Sequence, residues 1–288
     1  MKEKNILAGV GYSAILLLSF SLRSSSNDSP SRSQRETSTD SCSYSIVCPG
    51  EELLYEVSWM GIHLGQIRLR TLETSANGTY NCVGNVDSYD GIPFVDLHAE
   101  SYTEMTRDFY SSGFHAIEKK DKGQWRAEKS FYDLQHNTVV IEKIFKKGKD
   151  SPPVSVPTYD TIYLKEKPIQ DGLSVFYFAR AHAHHRDTLT VPIIVYSKWG
   201  HAFLHFSSVP EEEELDAING ARVRVIPFDG QAKFKGMFGF TGEFKGWISD
   251  DNAAVPLKAE LKVLLGSVKL ELVSWIRNGW SPPTISQK

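Results

Sequence analysis

Leu53-Leu54-Tyr55-Glu56-Val57-Ser58-Trp59-Met60-Gly61-Ile62-His63-Leu64-Gly65-Gln66-Ile67-Arg68-Leu69-Arg70 is the stretch on which the fold turns. Tyr55, Val57 and Trp59 alternate with Leu54, Glu56 and Ser58, the period of a half-buried strand. Two glycines between Met60 and Gly65 place a turn or a bulged corner next. Gln66–Arg70 then alternates again, so the whole reads as a β-hairpin. Outward from it, Asn77-Gly78 marks another turn and Thr79–Ser88 resumes a strand. Similar runs follow at His98–Phe109, Phe114–Asp121, Gln124–Asp133 and Thr138–Phe145, separated by turn residues such as Ser112-Gly113, Lys122-Gly123 and Gln135-His136-Asn137. Strands spaced roughly ten residues apart and joined by short turns make an antiparallel sheet, not a βαβ fold.

Three prolines make Ser151–Pro157 a connection. One helix is expected after it: Asp171 is its cap, and Leu173, Phe176, Tyr177 and Arg180 follow at helical spacing to about His185. Strands return at Thr190–Tyr196, His201–Ser208, Ala221–Pro227, Phe234–Phe240, Glu243–Ser249, Val255–Leu264 and Ser267–Trp275. The acidic run Glu211–Asp216 reads as a solvated loop between strands. The fold expected is mostly β: a large curved antiparallel sheet or open barrel with one short helix, preceded by a signal segment and a disordered linker.

The front of the chain differs from the body. Lys2 and Lys4 precede an apolar run from Ile6 to Leu22 with no charge until Arg23, the pattern of a secretory signal. Residues 1–26 are therefore expected to be a signal peptide or an N-terminal anchor. Residues 27–48, rich in Ser, Thr, Asp and Arg, form a linker with too little apolar surface to offset its conformational entropy. The β domain is expected over 49–276 and a flexible tail over 277–288. Export gives the periplasm or the cell envelope as the location, with a membrane anchor through the N-terminal segment left open.

The chain has 288 residues, 41% hydrophobic and 23% charged, which suits one large β domain. Its formal charge of −3 gives a nucleic-acid partner no electrostatic support. Lys143, Lys146, Lys147 and Lys149 cluster, as a solvated strand end or turn does. An exported chain meets an oxidising compartment, so Cys42 and Cys48 are candidates for a small-loop disulfide, with Cys82 free or buried; a Cys48–Cys82 bridge is the other option.

Candidate chemistry is sparse. His182 and His185 lie three apart on the expected helix, near His184, but without the carboxylate of a His-Glu-x-x-His arrangement; no His or Cys spacing matches a zinc pattern, and no metal or cofactor is expected. His201 and His205 share one strand face with Phe203 between them. Asp250 and Asp251 fall where a hairpin turn is due, and aspartates favour turns. Neither a Gly-x-Ser-x-Gly elbow nor a phosphate-cradling loop occurs, so no catalytic residue is assigned. The glycine-rich Gly236–Gly242 reads as a strand needing curvature or close packing.

Three ordered blocks carry a resemblance: Gly50–Gly65, Ile169–Arg180, and Gly246–Asp251 with Val255–Glu260 and Leu265–Val268. Together they resemble the exported bacterial family called domain-of-unknown-function 3108, over about Gly50 to Trp275. The resemblance implies a secreted, periplasmic or outer-membrane-associated protein with a curved, mostly antiparallel sheet, and no catalytic residues. An aromatic-rich curved sheet can leave an apolar concavity. The expected function is binding of an apolar, lipid-like ligand or an envelope protein partner, with Tyr55, Trp59, Phe176, Tyr177, Phe240 and Trp247 as lining or as core. The alternatives are an enzyme acting on envelope polymers through Asp250, Asp251 or the histidine set, and an assembly scaffold offering a sheet edge or face.

Overall fold

The computed structural model describes residues 45–285 apart from 93–94, 234–241 and 264, with the backbone alone at 121. The N-terminal apolar segment, most of the linker, Cys42, Phe240 and the expected strand Phe234–Phe240 lie outside the described residues.

The described residues form β1 (Glu52–Trp59), β2 (Ile62–Thr71), β3 (Tyr80–Ser88), β4 (His98–Met105), β5 (Ser111–Lys119), β6 (Trp125–Asp133), β7 (Thr138–Lys146) and β8 (Thr158–Tyr163). The helix α1 (Ser174–His182) follows, then β9 (Thr188–Val195), β10 (Lys198–Phe206), β11 (Glu211–Leu215), β12 (Ala221–Ala232), β13 (Gly242–Ser249), β14 (Pro256–Lys262) and β15 (Ser267–Ile276). All belong to one antiparallel sheet in the order β8-β7-β6-β5-β4-β3-β2-β1-β15-β14-β13-β12-β10-β9, with β11 beside β12. Sequential hairpins run both ways from the first strand, and β15 returns to pair with β1, Tyr55 opposite Leu272 and Trp59 opposite Val268.

The two ends of this path come back together. Ile194 of β9 packs with Val139 and Ile141 of β7 and with Ile169. Residues 169–171 bridge the remaining gap: Ser111 N–H donates to the Ile169 carbonyl at 3.0 Å, Gln170 N–H to Pro192 at 2.9 Å, and Ile194 N–H to Gln170 at 3.0 Å. The sheet therefore stays open between β8 and β9, and segment 169–171 joins β5 to β9 across part of the gap.

Antiparallel pairing fixes what stands at each end. The connections β1–β2, β3–β4, β5–β6, β7–β8, β9–β10, β12–β13 and β14–β15 leave one end. Those from β2 to β3, β4 to β5, β6 to β7 and β13 to β14 leave the other, together with both ends of the described chain.

The helix sits against the concave face. Asp171 Oδ1 accepts from the N–H groups of Leu173 and Ser174, and Ser174 Oγ accepts from Asp171 N–H at 2.8 Å, a reciprocal cap. Its Oδ2 accepts from Thr103 of β4 and Ser111 of β5, each at 2.5 Å, so one carboxylate starts the helix and ties it to two strands. The helix ends in a tight turn at Ala183–His185, where Arg186 takes a left-handed φ of 56°.

Four expectations need correction. Glu211–Leu215 is not a loop but β11, a strand that forms because Glu212 pairs with Arg222 at 2.8 Å and the backbone pairs with β12. β8, unforeseen after the prolines, adds a strand beyond β7. The linker does not extend to 48: Val47 and Cys48 are buried. Nor is 277–285 a flexible tail. Arg277 and Trp280 are buried, and Ile285 N–H donates to the Arg222 carbonyl at 2.9 Å.

Candidate functional site

Between α1 and the concave face lies a cavity of about 260 Å³. Its walls follow from strand register. Directly opposed residues of an antiparallel pair share a face, and the pairings Tyr55–Ile67, Val57–Leu270, Leu270–Ala259 and Leu261–Phe244 put apolar side chains of five strands on the concave side. From the helix, Leu173, Val175, Phe176 and Ala179 face them.

Two glycines shape the wall. Gly230 stands opposite Phe244, and Gly246 opposite Phe228. A Cβ on Gly246 would come within 2.5 Å of the Phe228 ring, and one on Gly230 within 2.6 Å of the Phe244 ring. Each glycine therefore lets an aromatic ring lie across the neighbouring strand. Polar groups at the wall are already partnered. Tyr55 Oη donates to the Pro256 carbonyl at 3.0 Å. The Lys258 ammonium is 3.5 Å from Glu213 and 3.9 Å from Glu271.

A larger open depression, about 820 Å³, lies at the ends of β10 and β12–β14. Its charged groups are paired with one another: Lys262 with Glu243 at 2.7 Å, Lys245 with Glu260 at 3.3 Å and His205 with Asp229 at 3.1 Å. Its charged groups are thus mutually paired among the described residues, and the smaller apolar cavity is the better candidate.

The sequence-expected residues divide accordingly. Tyr55 and Phe176 line the cavity and meet edge to face, centroids 6.5 Å apart. Tyr177 is fully buried elsewhere, its hydroxyl 2.9 Å from Thr71 Oγ1. Trp247 lies outside the cavity lining, with the Lys245 ammonium 4.9 Å from its ring centroid. Trp59 stands at the end of β1 and donates from Nε1 to the Leu265 carbonyl at 2.7 Å. Cys48 is held in a disulfide. Cys82 is a free, buried thiol, which removes the Cys48–Cys82 option. Burial pushes that thiol up to about 12, so it is not a reactive thiolate.

His184 and the two aspartates adjoin at the far end of α1, where they serve the fold. Asp251 Oδ1 accepts from Ser249 Oγ, Ala253 N–H and Ala254 N–H, and its Oδ2 from Trp280 Nε1. Asp250 Oδ2 accepts from Arg224 at 2.5 Å. His182 stacks on Phe178, centroids 3.9 Å apart, and His184 bonds the Asp251 carbonyl at 2.8 Å. His201 lies 3.2 Å from Glu166. Among the described residues no three His, Cys, Asp or Glu side chains are grouped as metal ligands.

Sequence reading missed a buried ion cluster at this same end. Arg180 grips Glu51 with two bonds, at 2.7 and 3.1 Å, and Arg277 donates to the same carboxylate. Arg180 also donates to the carbonyls of Ala253 and Ala254, and Arg277 to that of Ser45. Burial pushes the Glu51 carboxyl up, but the two guanidiniums outweigh it and hold it below its ordinary value. The signal was available: Arg180 falls at helical spacing among apolar residues, where an unpaired charge is not tolerated.

A large, curved, open antiparallel sheet with one helix against its concave face, and a small apolar cavity between them, defines a β-barrel-like protein. The chain belongs to the family described as Protein of unknown function (DUF3108), which matches residues 54–273. No curated protein matches it. Among solved structures it is similar to a beta-barrel-like protein of domain of unknown function DUF1849 from Brucella abortus. The TM-score is 0.53 and the identity 11%, covering 80% of this chain and 98% of that one. At that identity the likeness concerns the fold alone.

Proposed function

We propose that this is an exported, non-enzymatic envelope protein that holds one slender apolar, lipid-like chain between α1 and the concave face. The observation that carries the reading is the apolar cavity of about 260 Å³, beside which Tyr55 bonds the Pro256 carbonyl and Lys258 faces Glu213. Its size falls just under the ~300–1,000 Å³ of ordinary small-molecule pockets, which favours a single chain over a whole multi-chain lipid. Each methylene buried there contributes roughly 0.8 kcal/mol, so chain length sets affinity.

Native mass spectrometry of protein purified from the envelope, with no lipid added, tests this. An apolar adduct displaced by a fluorescent fatty acid is expected. Protein that carries no adduct and takes up no fatty acid would overturn the reading.

A further inference from the structure

We propose that the end of the sheet away from Ser45 and Ile285 is a docking surface for a lipid bilayer, and that an apolar chain enters the cavity from it; the second clause rests on the function proposed above, the first does not. Met60 and Gly61 form a two-residue turn with φ values of 49° and 80°, closed by Trp59 opposite Ile62. The neighbouring β14–β15 turn brings Leu265 beside it. A Cβ on Gly266 would lie 4.0 Å from Met60 Cγ, and Trp59 Nε1 latches the two turns by its bond to Leu265. Met60 is 71% exposed, Leu265 64% and Ile62 44%. Exposed apolar side chains on two linked turns, beside a tryptophan, match the chemistry of a bilayer interface. Trp59, with its N–H satisfied from within, presents an amphipathic ring at the level where tryptophan favours the interface.

Register links these tips to the cavity. Ile62 pairs with Trp59, Trp59 with Val268, Val268 with Leu261, Leu261 with Phe244, Phe244 with Gly230, and Gly230 with Leu204. This is one row on one face of the sheet, running from the exposed turn to three residues of the cavity wall. It contains no polar side chain, so a chain leaving a bilayer at Ile62 meets apolar surface all the way to Leu204. Charge agrees in sign: among the described residues the connections at this end carry five lysines against four aspartates, whereas the whole chain is at −3. An anionic headgroup layer complements that end.

The test uses the full chain and vesicles of phosphatidylethanolamine and phosphatidylglycerol containing a photoactivatable acyl chain. Mass spectrometry then maps the crosslinked peptides. Crosslinks are expected in peptides spanning 59–62 and 263–266. They should fall about tenfold or more in the variant Met60→Ser/Ile62→Ser/Leu265→Ser, because the apolar insertion is lost. Uptake of a fluorescent fatty acid from solution by that variant should stay within roughly twofold of the parent, since no cavity residue is changed. Leu265→Ser alone gives the same comparison should the triple variant fail to fold. Crosslinks confined to residues 6–22, or unchanged at the turns in the variants, would overturn the docking surface. Turn crosslinks without fatty-acid uptake by the parent chain support the docking surface and overturn the cavity reading instead.

Discussion

Replacing Glu51 by glutamine keeps the shape of the side chain and removes the charge that two guanidiniums share. Arg180 and Arg277 are both buried against that one carboxylate. Uncompensated charge in such a site costs about 3–5 kcal/mol. Glu51→Gln should therefore lower the urea midpoint by that equivalent, with the slope unchanged. The pH dependence has a definite sign. A carboxyl held below its ordinary value of 4.5 contributes stability that is present above that value and lost as pH falls through the folded one. The parent chain should lose stability on acidification below about pH 4.5, and Glu51→Gln should flatten that limb of the curve. An unchanged midpoint in the variant would show that the cluster does not hold the chain ends to the helix. Asp171 has the opposite tendency: burial pushes its carboxyl up, against the hydrogen bonds from Ser111, Thr103 and the helix start. Its share of stability is greatest at low pH and falls as pH rises.

At the scale of elements, curvature rests on pairs of glycine and phenylalanine across β12 and β13. Gly246→Ala drives a methyl into the Phe228 ring, and both lie between packed neighbours. Overpacking of this kind costs about 1–3 kcal/mol. It should also weaken fatty-acid uptake, because Phe228 borders the cavity. Thermal melts paired with uptake measurements check both outcomes; uptake intact alongside a lowered melting temperature would separate the wall from the ligand. These pairs also mark how far the sequence could be read. The hairpin from Leu53 to Arg70 and the runs from Thr79 to Phe145 announce themselves, because one face of each strand is buried and alternation follows. Glu211-Glu212-Glu213-Glu214 carries no alternation, and it is a strand only because Arg222 and Arg224 of β12 stand opposite. Thr158–Tyr163 is almost wholly exposed, so burial writes no pattern into it. The cavity was half legible. Tyr55 and Phe176 stand out as aromatics, but Ala179, Ala202 and Ala259 border the same space and are indistinguishable from core alanines until register places them.

For the whole molecule, the question is why a helix against a curved sheet should leave space at all. Tyr177, Phe178 and Arg180 on α1 are buried against β-strand residues and the ion cluster, and fix the helix toward the termini. Asp171 fixes its start against β4 and β5. Both ends of α1 are held there, and the cavity lies between its Phe176 and Ala179 side and the wall of β12–β14. An empty apolar gap is unfavourable, and surrounding groups relax into it only partly. Filling it from within distinguishes a packing void from a binding site. Ala179→Leu extends a good helix former into the cavity. If the space is only a void, the variant gains about 0.5–2 kcal/mol and nothing else changes. If it holds an apolar chain, the same substitution should also remove most of the adduct seen by native mass spectrometry and lower fatty-acid affinity about tenfold or more, since roughly two methylenes of ligand lose their place. A stabilised variant that still copurifies with a full complement of adduct would place the ligand elsewhere on the protein. The expectation is the coupled result, stability up and ligand down, because Ala179 borders the cavity directly.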